Sequence, residues 1–240
     1  MQTMPPLLIV TRPHETGQAF ARKVVAEYGD VEVILSPGLR ILPLAAEVPA
    51  DVAHVIFTSA NGVAQAIRLG LTPHAHAWCV GRRTADAAKA LGFKVTVGGG
   101  DALQLIETIK EAAPLGRIVH VAGQHRQGDV AATLRRHGLD CSEVIAYHQL
   151  VCAPTPALEK ALLGDRPLVI PLFSARSGLT IIGTDHKAPL HIIAISPSVA
   201  QMVTDWGVDT VACADSPDEA AMIAQTCIVL DRLNLGSSVS

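Results

Sequence analysis

Short apolar runs alternate with helical patterns along the sequence. The first run, LLIV at 7–10, precedes an amphipathic stretch that Gly29 should end as a C-cap. The last run, DTVACA at 209–214, precedes a helix with Ser216 as its predicted N-cap and Pro217 as its first residue. Because parallel strands need a long crossover, usually a helix, this alternation predicts an α/β fold with parallel sheets.

The composition limits both the core and the partners. Of the 240 residues, 49% are hydrophobic but only 3% are aromatic, so the core must consist of aliphatic side chains. Such a core is typical of parallel strands that helices cover on both faces. The formal net charge is −3 and the pI is about 6.3. Nucleic acid is therefore not an expected partner, since no general positive field exists to attract it.

The cysteines and the N-terminal segment indicate the cellular compartment in which the protein resides. Five cysteines without a CxxC pair are typical of buried thiols in a reducing environment. The start MQTMPPLLIVTRP has the pattern of a first strand rather than a signal peptide. No apolar run reaches the roughly 20 residues of a membrane span. We expect a soluble, cytoplasmic chain without membrane contact, and a disordered tail GSSVS at 236–240.

An internal repeat connects two parts of the sequence. The pairs separated by 115 residues are Ser59 with Ser174, Gly81 with Ser196, Ala85 with Ala200, and Gly92 with Gly207. A looser repeat connects residues 7–34 with 116–147. If the looser element is X and the first is Y, the chain order is X-Y-X-Y. Two consecutive domains, or one domain inserted into another, would both give this order.

Small and polar residues follow the strand-like runs. The strand ends read VTRP, FTSAN, CVGRRT, VAGQH, LFSARS and AISPS. Ligands of parallel sheets bind at the carboxyl ends of strands, and amides at helix N-termini bind anions there. Serine and threonine can also simply cap helices. Their recurrence, with Arg12, Arg82, Arg83, Arg126 and Arg176 nearby, predicts a site for a large polyanion.

Other signatures exclude several enzyme classes. The sequence has no GxxxxGK[ST] phosphate loop and no GxSxG nucleophile elbow. GGGDAL at 98–103 lacks the third glycine of a dinucleotide fingerprint, and HAH at 74–76 lacks a third metal ligand at suitable spacing. His120 lies within an apolar run and is interpreted as a core residue. Tyr147 ends the run EVIAY, where its hydroxyl is a candidate to assist a leaving group.

These strand ends and their flanking segments resemble the uroporphyrinogen-III synthase family. The segments that carry the resemblance are VTRP, LSPGLRI, VIFTSANGV, VGRRTADAAKALGF, VAGQHRQGDVAATLRRHGL, EVIAYHQ and LFSARSG. The resemblance covers nearly the whole chain. It implies two flavodoxin-like parallel-sheet lobes joined by a two-stranded linker. The family's inserted arrangement implies a discontinuous first lobe of residues 1–37 and 151–240, with residues 38–150 as the second lobe.

The resemblance also implies a reaction. Its substrate is hydroxymethylbilane, a linear tetrapyrrole polycarboxylate. Loss of water from the hydroxymethyl group gives an azafulvene, attack by ring D gives a spiro intermediate, and re-closure yields uroporphyrinogen III with that ring inverted. No metal or cofactor takes part, and the enzyme's main task is to hold ring D in the right geometry. A monomer is expected, with at most transient contact with the preceding pathway enzyme.

Several residues match positions of the family. Tyr147 matches a tyrosine proposed to assist departure of the hydroxyl, and Thr84 matches the threonine of a GxxTA turn. Ser59 and Ser174 match small polar strand-end residues. The second GxxTA copy reads SPSVA, so Ser198 is expected to supply that hydroxyl. The predicted substrate-binding residues are Thr11, Arg12, Ser59, Ala60, Asn61, Gly81, Arg82, Thr84, Gly123, Arg126, Ser174, Ser177, Ser196 and Ser198.

Two other functions share some of these features. A two-lobed sensor or binding protein for an anionic small molecule has the same fold and strand ends, but it predicts a stable complex without turnover. A nucleotide-dependent transferase needs a phosphate loop, which the sequence lacks.

Overall fold

The computed structural model describes residues 4–126, 128–181 and 185–236. The strands in this part of the chain are β1 (Leu7–Val10), β2 (Glu32–Leu35), β3 (Leu39–Pro43), β4 (Val52–Phe57), β5 (His76–Cys79), β6 (Lys94–Val97), β7 (Arg117–Gly123), β8 (Cys141–Val151), β9 (Leu168–Leu172), β10 (Leu190–Ala194) and β11 (Thr210–Cys213). The helices are α1 (His14–Tyr28), α2 (Ala60–Val63), α3 (Arg82–Ala90), α4 (Ala102–Ala112), α5 (Val130–Arg136), α6 (Pro156–Leu162), α7 (Pro197–Val203) and α8 (Glu219–Gly236), and a 3₁₀ turn covers Ala175–Gly178.

Two compact units divide the described chain. The first contains the residues up to Arg40 and from Leu150 onward, and the second is Ile41–Gln149. The chain therefore passes between the units within β3 and near the end of β8, which are neighbours in one sheet. The lobes implied by the resemblance, residues 1–37 with 151–240 and residues 38–150, stay a prediction.

Each unit has a mostly parallel sheet. The first sheet has the order β2-β1-β9-β10-β11, and all its pairs are parallel. Renumbered along the chain, this is the 2-1-3-4-5 order of flavodoxin-like folds. The second sheet has the order β8-β7-β4-β5-β6, with β3 beyond β8. The pairs from β8 to β6 are parallel. The predicted α/β class with parallel sheets is confirmed.

The second sheet repeats the order of the first in permuted form. If β7 and β8 are numbered before β4, β5 and β6, its order is again 2-1-3-4-5. Residues that are separated by 115 positions have similar backbone conformations. Ser59 has φ −153° and ψ 156°, and Ser174 has φ −165° and ψ 150°. Gly92 and Gly207 both have positive φ, at 89° and 69°. The X-Y-X-Y repeat is therefore a repeat of structure.

One predicted helix start is wrong. Helix α8 begins at Glu219 rather than at Pro217. The cause is Asp218, whose Oδ1 accepts the Ala221 amide at 2.9 Å and so caps the helix. The Ser216 hydroxyl donates to the Asp218 carboxylate at 2.7 Å instead of capping the helix itself. The Gly29 C-cap is confirmed, with a φ of 103°. The tail predicted to be disordered lies outside the described residues from 237 onward.

The cores are mostly aliphatic, as the composition predicts, with a few buried rings such as Phe20 and Phe57. Helices pack on both faces of each sheet, around clusters that include Ile9 and Ile170 in the first unit and Val55 and Val119 in the second. Burial raises the pKa of the Cys79 thiol to about 12, so this thiol is an inert packing group. Within the described ranges, no helix has the length and hydropathy needed to cross a bilayer.

Candidate active site

A cavity of about 340 Å³ opens at the carboxyl edge of the second sheet. Its walls come from β7, from the end of β8, and from residues that follow β4, β5, β6 and β7. The lining residues are Thr58, Ser59, Val80, Asp101, Ala102, His120, Gly123, His125, Arg126, Val130, Tyr147 and Gln149. All of them belong to the second unit. The carboxyl edge is where open α/β sheets bind their ligands.

Tyr147 brings a hydroxyl to this cavity. Its side chain is almost fully buried, and its hydroxyl oxygen lies 2.9 Å from Ser59 Oγ. Burial raises the pKa of Tyr147, and the hydrogen bond with Ser59 opposes part of that shift. The phenol therefore stays protonated at neutral pH and can donate a proton to a bound molecule. Sequence reasoning predicted both residues for the site, and the structure brings them together.

Gly123 makes room for the tyrosine ring. The register of β7 and β8 shifts between Ala122 and Gly123, which places Tyr147 opposite Gly123. A Cβ atom at Gly123 would lie 2.6 Å from Tyr147 Cε2, far closer than such atoms approach. The Gln124 amide donates to the Tyr147 carbonyl at 2.9 Å and fixes the backbone on the far side of the shift. The Tyr147 ring can therefore occupy this position only because residue 123 is a glycine. The predicted role of Gly123 in substrate binding is separate from this packing role.

Polar side chains continue from this point across the sheet. His120 is 1% exposed, and its Nε2 lies 3.3 Å from Thr58 Oγ1 on β4's carboxyl side. Its Nδ1 lies 3.4 Å from Glu143 Oε1 on β8. The angles at this second contact are not those of a hydrogen bond, so it is an electrostatic contact. Arg126 binds the other oxygen of the same carboxylate, with Nη2 2.5 Å from Oε2.

These contacts fix the charge of Glu143. The contact with His120 holds the pKa of this carboxyl below its ordinary value, and Arg126 adds to the effect while burial opposes it. Glu143 is therefore a carboxylate at neutral pH, and it neutralises much of the charge of Arg126. The predicted role of Arg126 as a substrate anchor requires it to exchange part of this ion pair for a substrate carboxylate.

The other predicted residues of the second unit surround two helix starts. Ala60 and Asn61 begin α2 directly after the capping Ser59 and are partly exposed. Gly81 precedes the nine-residue helix α3 and has no side chain with which to cap it. Arg82 is exposed there, whereas Thr84 is only 7% exposed.

The predicted serines of the first unit form closed turns. Ser174 accepts the amide of Ser177, whose own hydroxyl donates back to the Ser174 carbonyl at 2.7 Å. Ser196 caps α7 by accepting the Val199 amide at 3.4 Å, and its hydroxyl lies 2.9 Å from that of Ser198. Ser198 is exposed and Ser177 is buried. Ser198 is thus accessible to a ligand, and its role as the hydroxyl of the altered GxxTA copy stays a prediction.

Arg12 and Thr11 are buried at the end of β1. The Arg12 guanidinium lies 2.5 Å from the Glu219 carboxylate and 4.0 Å from the centre of the Phe173 ring. Lys23 binds the other oxygen of Glu219 at 2.6 Å. Thr11 is fully buried, and its hydroxyl has no hydrogen-bond partner among the described residues. This geometry favours a packing role for Arg12 over a contact with substrate.

Metal binding has no support in the site. Among the described residues, no group of three or more histidine, cysteine, aspartate or glutamate side chains is arranged to hold a metal ion.

Comparison with known proteins identifies the family. The family model described as "Uroporphyrinogen-III synthase HemD" matches residues 19–224, which is most of the chain. The chain belongs to the uroporphyrinogen-III synthase family. This is a family of enzymes, so the catalytic interpretation is favoured over a sensor or binding protein.

Solved structures of uroporphyrinogen-III synthases have the same fold. The crystal structure of the synthetase from Helicobacter pylori matches with a TM-score of 0.69 at 15% identity, covering 94% of this chain and 100% of that chain. A mutant synthase from Thermus thermophilus matches with a TM-score of 0.54 at 17% identity, covering 94% and 99%. At such low identities these likenesses establish the fold alone. No curated protein sequence matches the chain significantly.

Sequence reasoning predicted His120 as a core residue with its polar atoms satisfied, and the structure confirms its burial and its contact with Thr58. It did not identify Thr58 and Glu143 as the partners. The available signal was a polar residue within each of two apolar runs, RIVHVAG and SEVIAY. Only the strand register shows that the two polar residues are directly opposite each other.

Proposed function

We propose that this chain carries out its family's reaction, the dehydrating cyclisation of hydroxymethylbilane to uroporphyrinogen III, at the carboxyl edge of the second sheet. Tyr147 gives its phenolic proton to the departing hydroxyl of the substrate, which leaves as water. The observation that carries this assignment is the Tyr147 hydroxyl, which is 2.9 Å from Ser59 Oγ in the wall of a cavity. A buried phenol held by one hydrogen bond is a positioned acid.

The size and character of the cavity suit one end of the substrate. About 340 Å³ accommodates a single substituted pyrrole rather than a tetrapyrrole. We infer that the hydroxymethyl-bearing end enters this cavity, while the remaining rings bind outside it. The exposed Arg82 and the positive N-terminus of α3 next to Gly81 are suited to substrate carboxylates. Ser198 is the corresponding candidate in the first unit.

Product stereochemistry depends on holding ring D. Hydroxymethylbilane also closes without an enzyme and then gives the uninverted type I isomer. Positioning can replace a large entropic part of a barrier, so a site that fixes ring D directs attack to the substituted carbon. No step of this reaction needs a metal or cofactor. A monomeric state, a cytoplasmic location and transient contact with the enzyme that supplies hydroxymethylbilane complete the proposal.

The experiment is an isomer assay. Purified protein receives freshly generated hydroxymethylbilane, and the oxidised products are separated into types I and III. The proposal predicts mostly type III at a rate above spontaneous closure. Type I alone, made by protein with a native circular dichroism spectrum, would reject the function.

A further inference from the structure

Two polar side chains of the cavity wall, Thr58 and His120, lie close to a third, Glu143. His120 on β7 is directly opposite Glu143 on β8 in the strand register. On its other side, Thr58 follows β4, and its hydroxyl lies 3.3 Å from His120 Nε2. Thr58 and His120 both line the cavity that contains the Tyr147 hydroxyl. We call Thr58, His120 and Glu143 the polar trio.

The equivalent positions of the first sheet hold no polar group. The separation of 115 residues relates Thr58 to Phe173. In the first sheet Val10 is opposite Leu35, as His120 is opposite Glu143 in the second.

The strand registers support this assignment. Leu7 is opposite Leu168, so the same register places Val10 beside Pro171. His120 is opposite Ile56, and Ile56 and Pro171 are also separated by 115 residues. Phe173, Val10 and Leu35 belong to one apolar cluster. The fold therefore accepts apolar residues at these three positions, and the polar trio is not needed to build it.

The partners of His120 determine where its proton lies. Glu143 is ionised, and the negative charge of its carboxylate favours the neutral imidazole tautomer that has its proton on Nδ1, the nitrogen that faces it. Nε2 then has its lone pair toward Thr58, and the threonine hydroxyl donates to it. This arrangement leaves the lone pairs of Thr58 Oγ1 as acceptors on the cavity side.

We propose that the polar trio is the proton acceptor of the dehydration, with Thr58 in contact with the substrate and His120 acting through it. This inference rests on the proposed function and adds a base to the acid, Tyr147. Glu143 positions the imidazole and stabilises its positive charge, as carboxylates paired with histidines do in other enzymes.

The proton transfers balance over one step. As the C–O bond of the hydroxymethyl group breaks, the pyrrole nitrogen lone pair forms a C=N bond, and Tyr147 protonates the departing hydroxyl to give water. The pyrrole N–H proton passes to Thr58 Oγ1 while the threonine proton passes to His120 Nε2. Azafulvene, water, a tyrosinate and an imidazolium result. The imidazolium then returns its proton to the tyrosinate through solvent in the cavity.

Other charged groups near His120 are already engaged. Arg126 binds the outer oxygen of Glu143 and makes that carboxylate a weaker base. Asp101 and Asp129, at the starts of α4 and α5, accept the amides of their own helices at 2.8 Å. His125 lines the cavity, with its ring centre 5.6 Å from that of His148. Among these groups, His120 is the titratable side chain in contact with Thr58.

The test is a pH–rate profile of type III formation, with the spontaneous type I rate subtracted. The variants are His120→Gln, which cannot take up a proton, and Glu143→Gln, which keeps the shape of the partner. The control is His54→Gln, because His54 is in the same sheet but outside the cavity lining. We expect kcat of the native protein to fall at acid pH as the imidazole becomes protonated. His120→Gln should lose about 100-fold in kcat and lack this acid limb.

Glu143→Gln should lower kcat less and move the acid limb to lower pH, because the imidazolium loses its carboxylate. His54→Gln should keep the native profile. A His120→Gln variant that retains the native acid limb, whether or not it is slower, would overturn the inference while leaving the proposed function intact. Type I product alone from the native protein would instead reject the proposed function itself. If His120→Gln does not fold, an acid limb unchanged in Glu143→Gln overturns the inference equally.

Discussion

The two sheets of this molecule share one topology but differ at their carboxyl edges. In the second sheet, Tyr147, Ser59, Thr58 and His120 line a cavity at this edge, and Glu143 contacts His120. In the first sheet, the corresponding positions of the trio are apolar, and Arg12 stacks on Phe173 while it binds Glu219. Because the same fold forms with both sets, the polar set of the second unit is explained by chemistry rather than by folding. We infer that the reacting groups come from the second unit.

The largest effect should come from giving the second sheet the residues of the first. In the double variant His120→Val with Glu143→Leu, we expect kcat to fall at least about 100-fold. Replacing a buried charged pair by apolar side chains is often neutral or stabilising, by about 1–4 kcal/mol, so the fold should persist. The measurements are type III formation and urea denaturation.

The same variant has a predicted pH signature. In the native protein the pKa of Glu143 lies below its ordinary 4.5. Its contribution to stability is therefore present above that pH and is lost as the pH falls through the lowered value. The double variant has no carboxyl at position 143, so its free energy of unfolding should not show this decrease at acid pH. Native activity in the double variant would show that the difference between the sheets has no catalytic meaning.

A matched pair of serines gives a smaller effect. Ser59→Ala and Ser174→Ala each remove an equivalent capping side chain, which should cost about 1 kcal/mol in unfolding free energy. Only Ser59 also binds the Tyr147 hydroxyl. We expect Ser59→Ala to lower kcat roughly 10-fold, because the acid loses its orientation. Ser174→Ala should raise KM with kcat retained. Equal kcat values in the two variants would show that the hydrogen bond between Ser59 and Tyr147 does not contribute to catalysis.

The smallest effect should come from a cap. Gly81→Ser gives α3 the residue that begins α7, and a Cβ at Gly81 has no atom within 4 Å. Serine should stabilise the helix start by a few tenths of a kcal/mol. It should also raise KM, because its hydroxyl occupies amides that we propose for a substrate carboxylate. The measurements are KM and the thermal unfolding midpoint. An unchanged KM would show that the substrate carboxylate does not bind at the start of α3.

The fold was predictable because its signals are local and repeated. Apolar runs, small turn residues and the separation of 115 residues are all visible in the sequence, and the structure confirms them at Ser59, Ser174 and the two glycines Gly92 and Gly207. The start of α8 was missed because two capping residues, Ser216 and Asp218, compete within three positions. Local patterns cannot decide between such neighbours.

The site was predictable only in part. Tyr147 and Ser59 were named separately, and the structure adds their hydrogen bond. The partners of His120 were not predictable, because Thr58, His120 and Glu143 are distant in sequence and meet through strand register. Arg12 illustrates the opposite case. A strand-end arginine has the sequence signature of an anion site, but the guanidinium of Arg12 already contacts the partly exposed carboxylate of Glu219 and the ring of Phe173.

The two tyrosines of the chain offer the most direct test of the central claim. Tyr147→Phe removes the proposed acid. Tyr28→Phe removes a hydroxyl on α1 that accepts a hydrogen bond from Asn234 and lies outside the site. Measured as kcat for type III formation in folded protein, Tyr147→Phe should be at least about 100-fold slower than native, and Tyr28→Phe should be native. Equal and native kcat values for both variants would contradict the assignment of the chemistry to the carboxyl edge of the second sheet.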